Sequence, residues 1–139
     1  MTRQSSWIKR FGPKSPSNAC PVGKILSGGS VEAGRTAILD AGVAKIQSFE
    51  KNEDVLWLRT LNPWSPDPGA SGGRLQLTHG DVSQAIAGLP DAGFDALLHD
   101  PPRFGIAGEL YSQAFYDQLA RVLKRAGRLF HYTGSPNRL

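Results

Sequence analysis

Phe94-Asp95-Ala96-Leu97-Leu98-His99-Asp100-Pro101-Pro102-Arg103-Phe104 constrains the fold more than any other stretch of the chain. Phe94, Ala96, Leu97 and Leu98 form an almost unbroken apolar run, the pattern of a strand covered on both faces, as in a parallel sheet. The run meets a His-Asp pair and then two prolines, which lack backbone N–H groups and restrict the residues before them. The strand must therefore stop near Asp100. In an open parallel α/β sheet, the carboxyl ends of the strands are where ligands bind.

The remaining chain supplies strands and helices in alternation. Val22–Leu26 is a short strand candidate. The Gly-rich stretch Ser27–Gly34 then opens a helix over Arg35–Ala41 that ends at Gly42. Gly28, Gly29 and Gly34 do not make the spacing of a dinucleotide-binding turn, and a Gly/Ser linker explains Gly28–Ser30 equally well. Gly34 is the better position for a close backbone approach to a ligand. Val43–Phe49 reads as a strand ending on Glu50, with Asn52 capping a helix through Leu61. Val55, Leu56, Leu58 and Leu61 are expected to form the buried face of that helix. The punctuated loop from Asn62 to Gly73 carries Trp64, expected to cap the core or to cover a pocket.

Arg74–Thr78 alternates as a strand, followed by Asp81 and a helix over Val82–Leu89. After the 94–104 stretch, Gly105 and Gly108 suit a mobile loop. Ser112 is placed to cap a helix to Lys124, in which Phe115, Leu119, Val122 and Leu123 recur with helical spacing. Gly127 terminates that helix, and Arg128–Tyr132 is the last strand.

Four strand ends thus carry Gly34, Glu50, Asp81 and Asp100 in order. Glu50 stands where doubly wound folds place a carboxylate for a ribose diol, but an exposed strand-end residue reads the same way. Asp81 is a helix cap or an acceptor for an adenine amino group, and the two roles are compatible. His79, His99 and His131 also sit at strand ends. Their spacing supports no zinc site, so neutral core histidines and no metal are expected.

Charge separates the chain into two parts. Residues 1–24 hold five of the 16 basic residues and no acidic ones, which leaves 11 basic against 12 acidic residues in the body. A basic nucleic-acid-binding face is thereby confined to the leader, residues 1–21, which reads as a solvated flexible segment ahead of a domain over 22–139. No run of 18 apolar residues is present, so no membrane-spanning helix is expected, and one cysteine fits a reducing, cytoplasmic setting.

His99-Asp100-Pro101-Pro102-Arg103-Phe104, Gly108–Ser112, Phe115-Tyr116, Arg121–Lys124 and Phe130–Gly134, with Asn62–Ser65, resemble the S-adenosylmethionine-dependent methyltransferases of the Rossmann-like class, and within them a group best known in archaea. The resemblance runs from about Gly34 to Pro136. It implies a parallel sheet of about five strands in the order 3-2-1-4-5, flanked by helices, and S-adenosylmethionine as cofactor. It further implies that Gly34 and Asp100 border the cofactor, with Glu50 on its ribose and Asp81 by its adenine. Asp100, Pro101, Pro102 and Arg103 line the reaction site, where Asp100 and Pro101 accept hydrogen bonds from a nucleophilic amine of a small molecule or a nucleic acid. Arg103 either anchors an anionic substrate group or pairs with a neighbouring carboxylate.

Two features depart from that group. Val31-Glu32-Ala33-Gly34 keeps only the last glycine of its first motif, and the strands that follow the fifth are missing. The expectation is a fragment or a diverged, shortened form whose fifth strand is an uncovered edge, open to self-association or to a partner chain. Two other readings stay beside methyl transfer: aminopropyl transfer, as in the spermidine synthases, and a non-catalytic remnant that pairs with another chain.

Overall fold

The computed structural model describes residues 42–131 and, as backbone, the strand Lys24–Gly28. The expected helix over 35–41, the leader and Gly34 lie outside the described residues. The elements are β1 (Lys24–Gly28), β2 (Lys45–Glu50), α1 (Glu53–Leu61), β3 (Leu75–His79), α2 (Val82–Ala85), β4 (Phe94–His99), α3 (Gln113–Val122) and β5 (Leu123–His131). Short 3₁₀ turns follow α2 (Ile86–Gly88) and precede α3 (Gly108–Tyr111).

The five strands pair in the order β3-β2-β1-β4-β5, and every pairing is parallel. Because all strands run the same way, their carboxyl ends share one edge of the sheet. The register draws that edge as a row: Gly28 lies beside Phe49 on one flank and His99 on the other, Glu50 beside His79, and His99 beside His131. The order reverses at β1, and β2 and β4 flank it. That is the topological switch point at which open α/β sheets bind ligands.

Alternating side chains on β2 and β4 feed two cores. Val43, Ile46, Leu75, Ala96 and Leu98 pack on one face. Phe49, Ile86, Phe94, Leu97, Phe115, Leu119 and Val122 pack on the other, under α2 and α3. Five of the six β4 residues are buried, as expected of its apolar run.

The two longest helices differ. Ser112 caps α3, its Oγ accepting from the Phe115 N–H at 3.2 Å. Phe115, Leu119 and Val122 are all buried and fall within about 60° of the helix circumference, a narrow stripe that one sheet face can cover. Asn52 caps α1 through a 2.9 Å bond from the Asp54 N–H, with Glu53 and Asp54 in the favourable first turn. The expected buried face of α1 does not form: no α1 residue is buried, and Leu58 and Leu61 are 55% and 61% exposed. Val55, Leu56, Leu58 and Leu61 span about 220° of the circumference, too wide for one surface to bury. Trp64 is 83% exposed and covers neither core nor cleft.

Other boundaries also differ from the sequence reading. The helix after Asp81 is a single turn continued as a 3₁₀ turn. α3 ends at Val122, and the chain enters β5 directly. Lys124 therefore lies in β5 and not at a helix end, and it pairs with Asp95 at 2.7 Å. Gly127 ends no helix either: it sits where β5 bulges against β4 between the Phe94 and Ala96 pairings. A side chain there would meet Leu123 Cγ at 2.7 Å and the Lys124 carbonyl at 2.9 Å, so only glycine fits.

Candidate functional site

An open cleft of about 810 Å³ lies along the carboxyl ends of β2, β3 and β4. Glu50, Asp81, Asp100, Pro101 and Pro102 all line it, together with Lys51, Asn52, Gly80, Glu109 and the apolar Phe49, Val55, Val82, Ile106 and Leu110. The structure thus brings together five of the residues singled out in the sequence. It does not bring Arg103, which is exposed and outside the lining. The Arg103 carbonyl accepts from the Ile106 and Ala107 N–H groups in a tight turn.

The β2–β3 half is built from charges and backbone bonds. Glu50 Oε1 accepts from the Asn52 N–H at 2.9 Å, which fixes the carboxylate at the strand end. The Glu50 carbonyl accepts from Gly80 N–H at 2.9 Å, and His79 Nε2 reaches the Lys51 carbonyl at 3.2 Å; facing a carbonyl, that nitrogen is the donor. Asp81 caps α2, Oδ1 accepting from the N–H and hydroxyl of Ser83 at 2.9 and 2.7 Å. Its Oδ2 pairs with Lys51 Nζ at 2.9 Å. Burial would raise the Asp81 pKa, but the bonds from Ser83 and Lys51 outweigh it and hold the carboxyl below its usual range. The same pair, through its hydrogen bond first, raises Lys51. Lys51 was absent from the sequence reading of the site; its place beside a carboxylate two elements away leaves no local signal.

The β4 half is aromatic and buried. His99 is 5% exposed, and its ring stands 4.7 Å from His131, 5.3 Å from Phe115, 5.9 Å from Tyr116 and 6.3 Å from Tyr111. His99 Nε2 donates to the Leu110 carbonyl at 3.0 Å. Desolvation drives its pKa down to about 4, against the raising effect of that bond, so the ring is neutral at neutral pH. Asp100 follows directly. Desolvation raises its pKa above the usual carboxylate range, partly offset by the neighbouring His131. Among the described residues no group of three or more His, Cys, Asp or Glu is arranged to hold an ion.

No known protein-family profile matches the chain. A 95-residue segment, 68% of the chain, is 45% identical to an uncharacterized protein of Methanocaldococcus jannaschii, of which it spans 32%. The chain is also 31% identical over 120 residues to polyamine aminopropyltransferase 2 of Streptomyces coelicolor, covering 79% of this chain and 21% of that protein. It therefore spans a third or less of these curated relatives. Among solved structures, a SAM-dependent methyltransferase from Archaeoglobus fulgidus superposes with a TM-score of 0.63 at 14% identity, over 96% of this chain and 51% of that one. A spermidine synthase in complex with the transition-state analogue AdoDATO superposes at 0.62 and 20% identity, over 73% and 36%. The chain has the mixed α/β fold of these transferases. Among the described residues, no helix is long and apolar enough to cross a membrane.

Proposed function

We propose that the cleft binds S-adenosylmethionine and that the chain transfers its methyl group to a substrate amine. One observation carries this reading: carboxylates from the ends of β2, β3 and β4 converge on one cleft at the switch point of the sheet. The donor set fits such a ligand. Glu50, held through one oxygen by Asn52, has its second oxygen for a ribose diol. Asp81 lies where an adenine would rest, but its cap and the Lys51 pair engage both oxygens, so only spare lone pairs serve an amino group. Gly34 remains the proposed point of close backbone approach, outside the described residues.

When bound, the cofactor supplies an electrophilic methyl on a sulfonium whose sulfur keeps the electron pair of the broken bond. The chain's work is placement and proton handling. Pro101 and Pro102, fixed in φ, hold the strand end rigid. Asp100 accepts hydrogen bonds from the amine, aims its lone pair, and takes the proton that the nitrogen sheds as the new C–N bond forms. Its raised pKa suits it to that acceptance.

Aminopropyl transfer is the second reading, favoured by the similarity to an aminopropyltransferase and a spermidine synthase. Calorimetric titration with S-adenosylmethionine and with its decarboxylated form separates the two. Tighter binding of the first supports methyl transfer, tighter binding of the second supports aminopropyl transfer, and binding of neither leaves the pairing remnant as the reading.

A further inference from the structure

The loop after β4 leaves the strand end at Asp100 and returns to it at Leu110 and Tyr111. Two side-chain hydrogen bonds close it in opposite senses. His99 Nε2 on the strand donates outward to the Leu110 carbonyl at 3.0 Å. Tyr111 Oη on the returning turn donates back to the Pro102 carbonyl at 2.8 Å. Between these ties the Arg103 carbonyl accepts from Ile106 and Ala107 at 2.8 and 3.2 Å, and the Phe104 ring meets Tyr111 edge-on at 5.6 Å. The Tyr111 ring in turn rests on His99 and His131, at 6.3 and 6.1 Å.

The proline pair makes the Tyr111 bond consequential. Both rings fix φ, so the direction in which this segment presents its groups depends on ψ alone. A hydrogen bond to the Pro102 carbonyl fixes the ψ of Pro102. His99, immediately before Asp100, is held by its own bond and by four surrounding rings. Asp100 and Pro101 therefore lie between two anchored points.

We propose that Tyr111 is a positioning residue, whose hydroxyl acts through the Pro102 carbonyl to set how Asp100 and Pro101 meet the reacting amine. The inference rests on the proposed use of Asp100 as amine acceptor. Sinefungin carries an amine in place of the transferring methyl, so its affinity relative to S-adenosylhomocysteine reads the grip of Asp100 on an amine with no substrate present. The wild type is expected to favour sinefungin, and Asp100→Asn to lose that preference. Tyr111→Phe keeps the ring and should cut the preference roughly 3- to 10-fold, the worth of one hydrogen bond, with S-adenosylhomocysteine affinity unchanged. A role confined to folding would weaken both ligands together.

An unchanged ratio in Tyr111→Phe overturns this inference alone. Failure of the wild type to bind either ligand overturns the reading of the site, and this inference with it. Amide exchange gives a second measure: in Tyr111→Phe the Ile106 and Ala107 amides should exchange faster while those of α3 do not. Uniform acceleration would mark a general loss of stability and contradict a local role.

Discussion

The two halves of the cleft are built on opposite principles. Around Asp100, aromatic rings are packed against the core that holds β4 against α3, with His99 buried among Phe115, Tyr116 and His131. Around Glu50 and Asp81, the groups are charged, half exposed and satisfied by one another or by backbone. Removing one of the buried rings of the first half disturbs the fold. In the second, Glu50 and Lys51 can be altered with little effect on anything except a bound ligand.

The largest expected effect lies in the aromatic half. Phe115→Ala removes a buried ring from beneath His99 and should destabilise the chain by about 3–5 kcal/mol in denaturant unfolding, a large share of a typical domain's stability. A loss below about 1 kcal/mol would mean that the core does not extend to the site.

Acid titration comes next. His99 is neutral in the fold, with its pKa lowered to about 4, whereas in the unfolded chain it protonates near its ordinary value. Its contribution is therefore complete at neutral pH, begins to fall as pH drops below about 6.5, and is gone below about 4, a loss of up to roughly 3 kcal/mol. His99→Gln should flatten that limb of the stability curve. An unaltered limb would show that some other group carries the acid sensitivity.

Smaller effects belong to the charged half. Glu50→Ala should weaken cofactor binding by about 1–3 kcal/mol and leave the unfolding midpoint nearly unchanged. Lys51→Met should leave that midpoint unchanged too, because the Lys51–Asp81 pair is exposed on the lysine side, and should alter cofactor affinity less than Glu50→Ala. Were either variant to destabilise the chain as Phe115→Ala does, the contrast between the halves would fail.

The same contrast governs what the sequence made legible. β4 and α3 were readable because their apolar residues fall on a strand run and on a narrow helical stripe, and both are buried as expected. The caps Asn52, Asp81 and Ser112 were readable because capping is local chemistry. The Lys51–Asp81 pair was not, because it joins residues 30 apart whose encounter depends on the register of β2 and β3. Arg103 lies outside the cleft lining, and the turn it opens rests on backbone bonds to Ile106 and Ala107, which side-chain identity does not announce. The exposure of α1 was not legible from its apolar content, because those residues spread over an arc too wide for one surface to bury.

The proposed role of the strand-end carboxylates is to make one adenosyl-cofactor site. Calorimetric titration of the chain with S-adenosylhomocysteine tests it most directly. Saturable binding at one site per chain is expected, weakened by Glu50→Ala in a protein that remains as stable as the wild type. Absence of binding by the folded wild-type chain, or binding indifferent to Glu50, would contradict it.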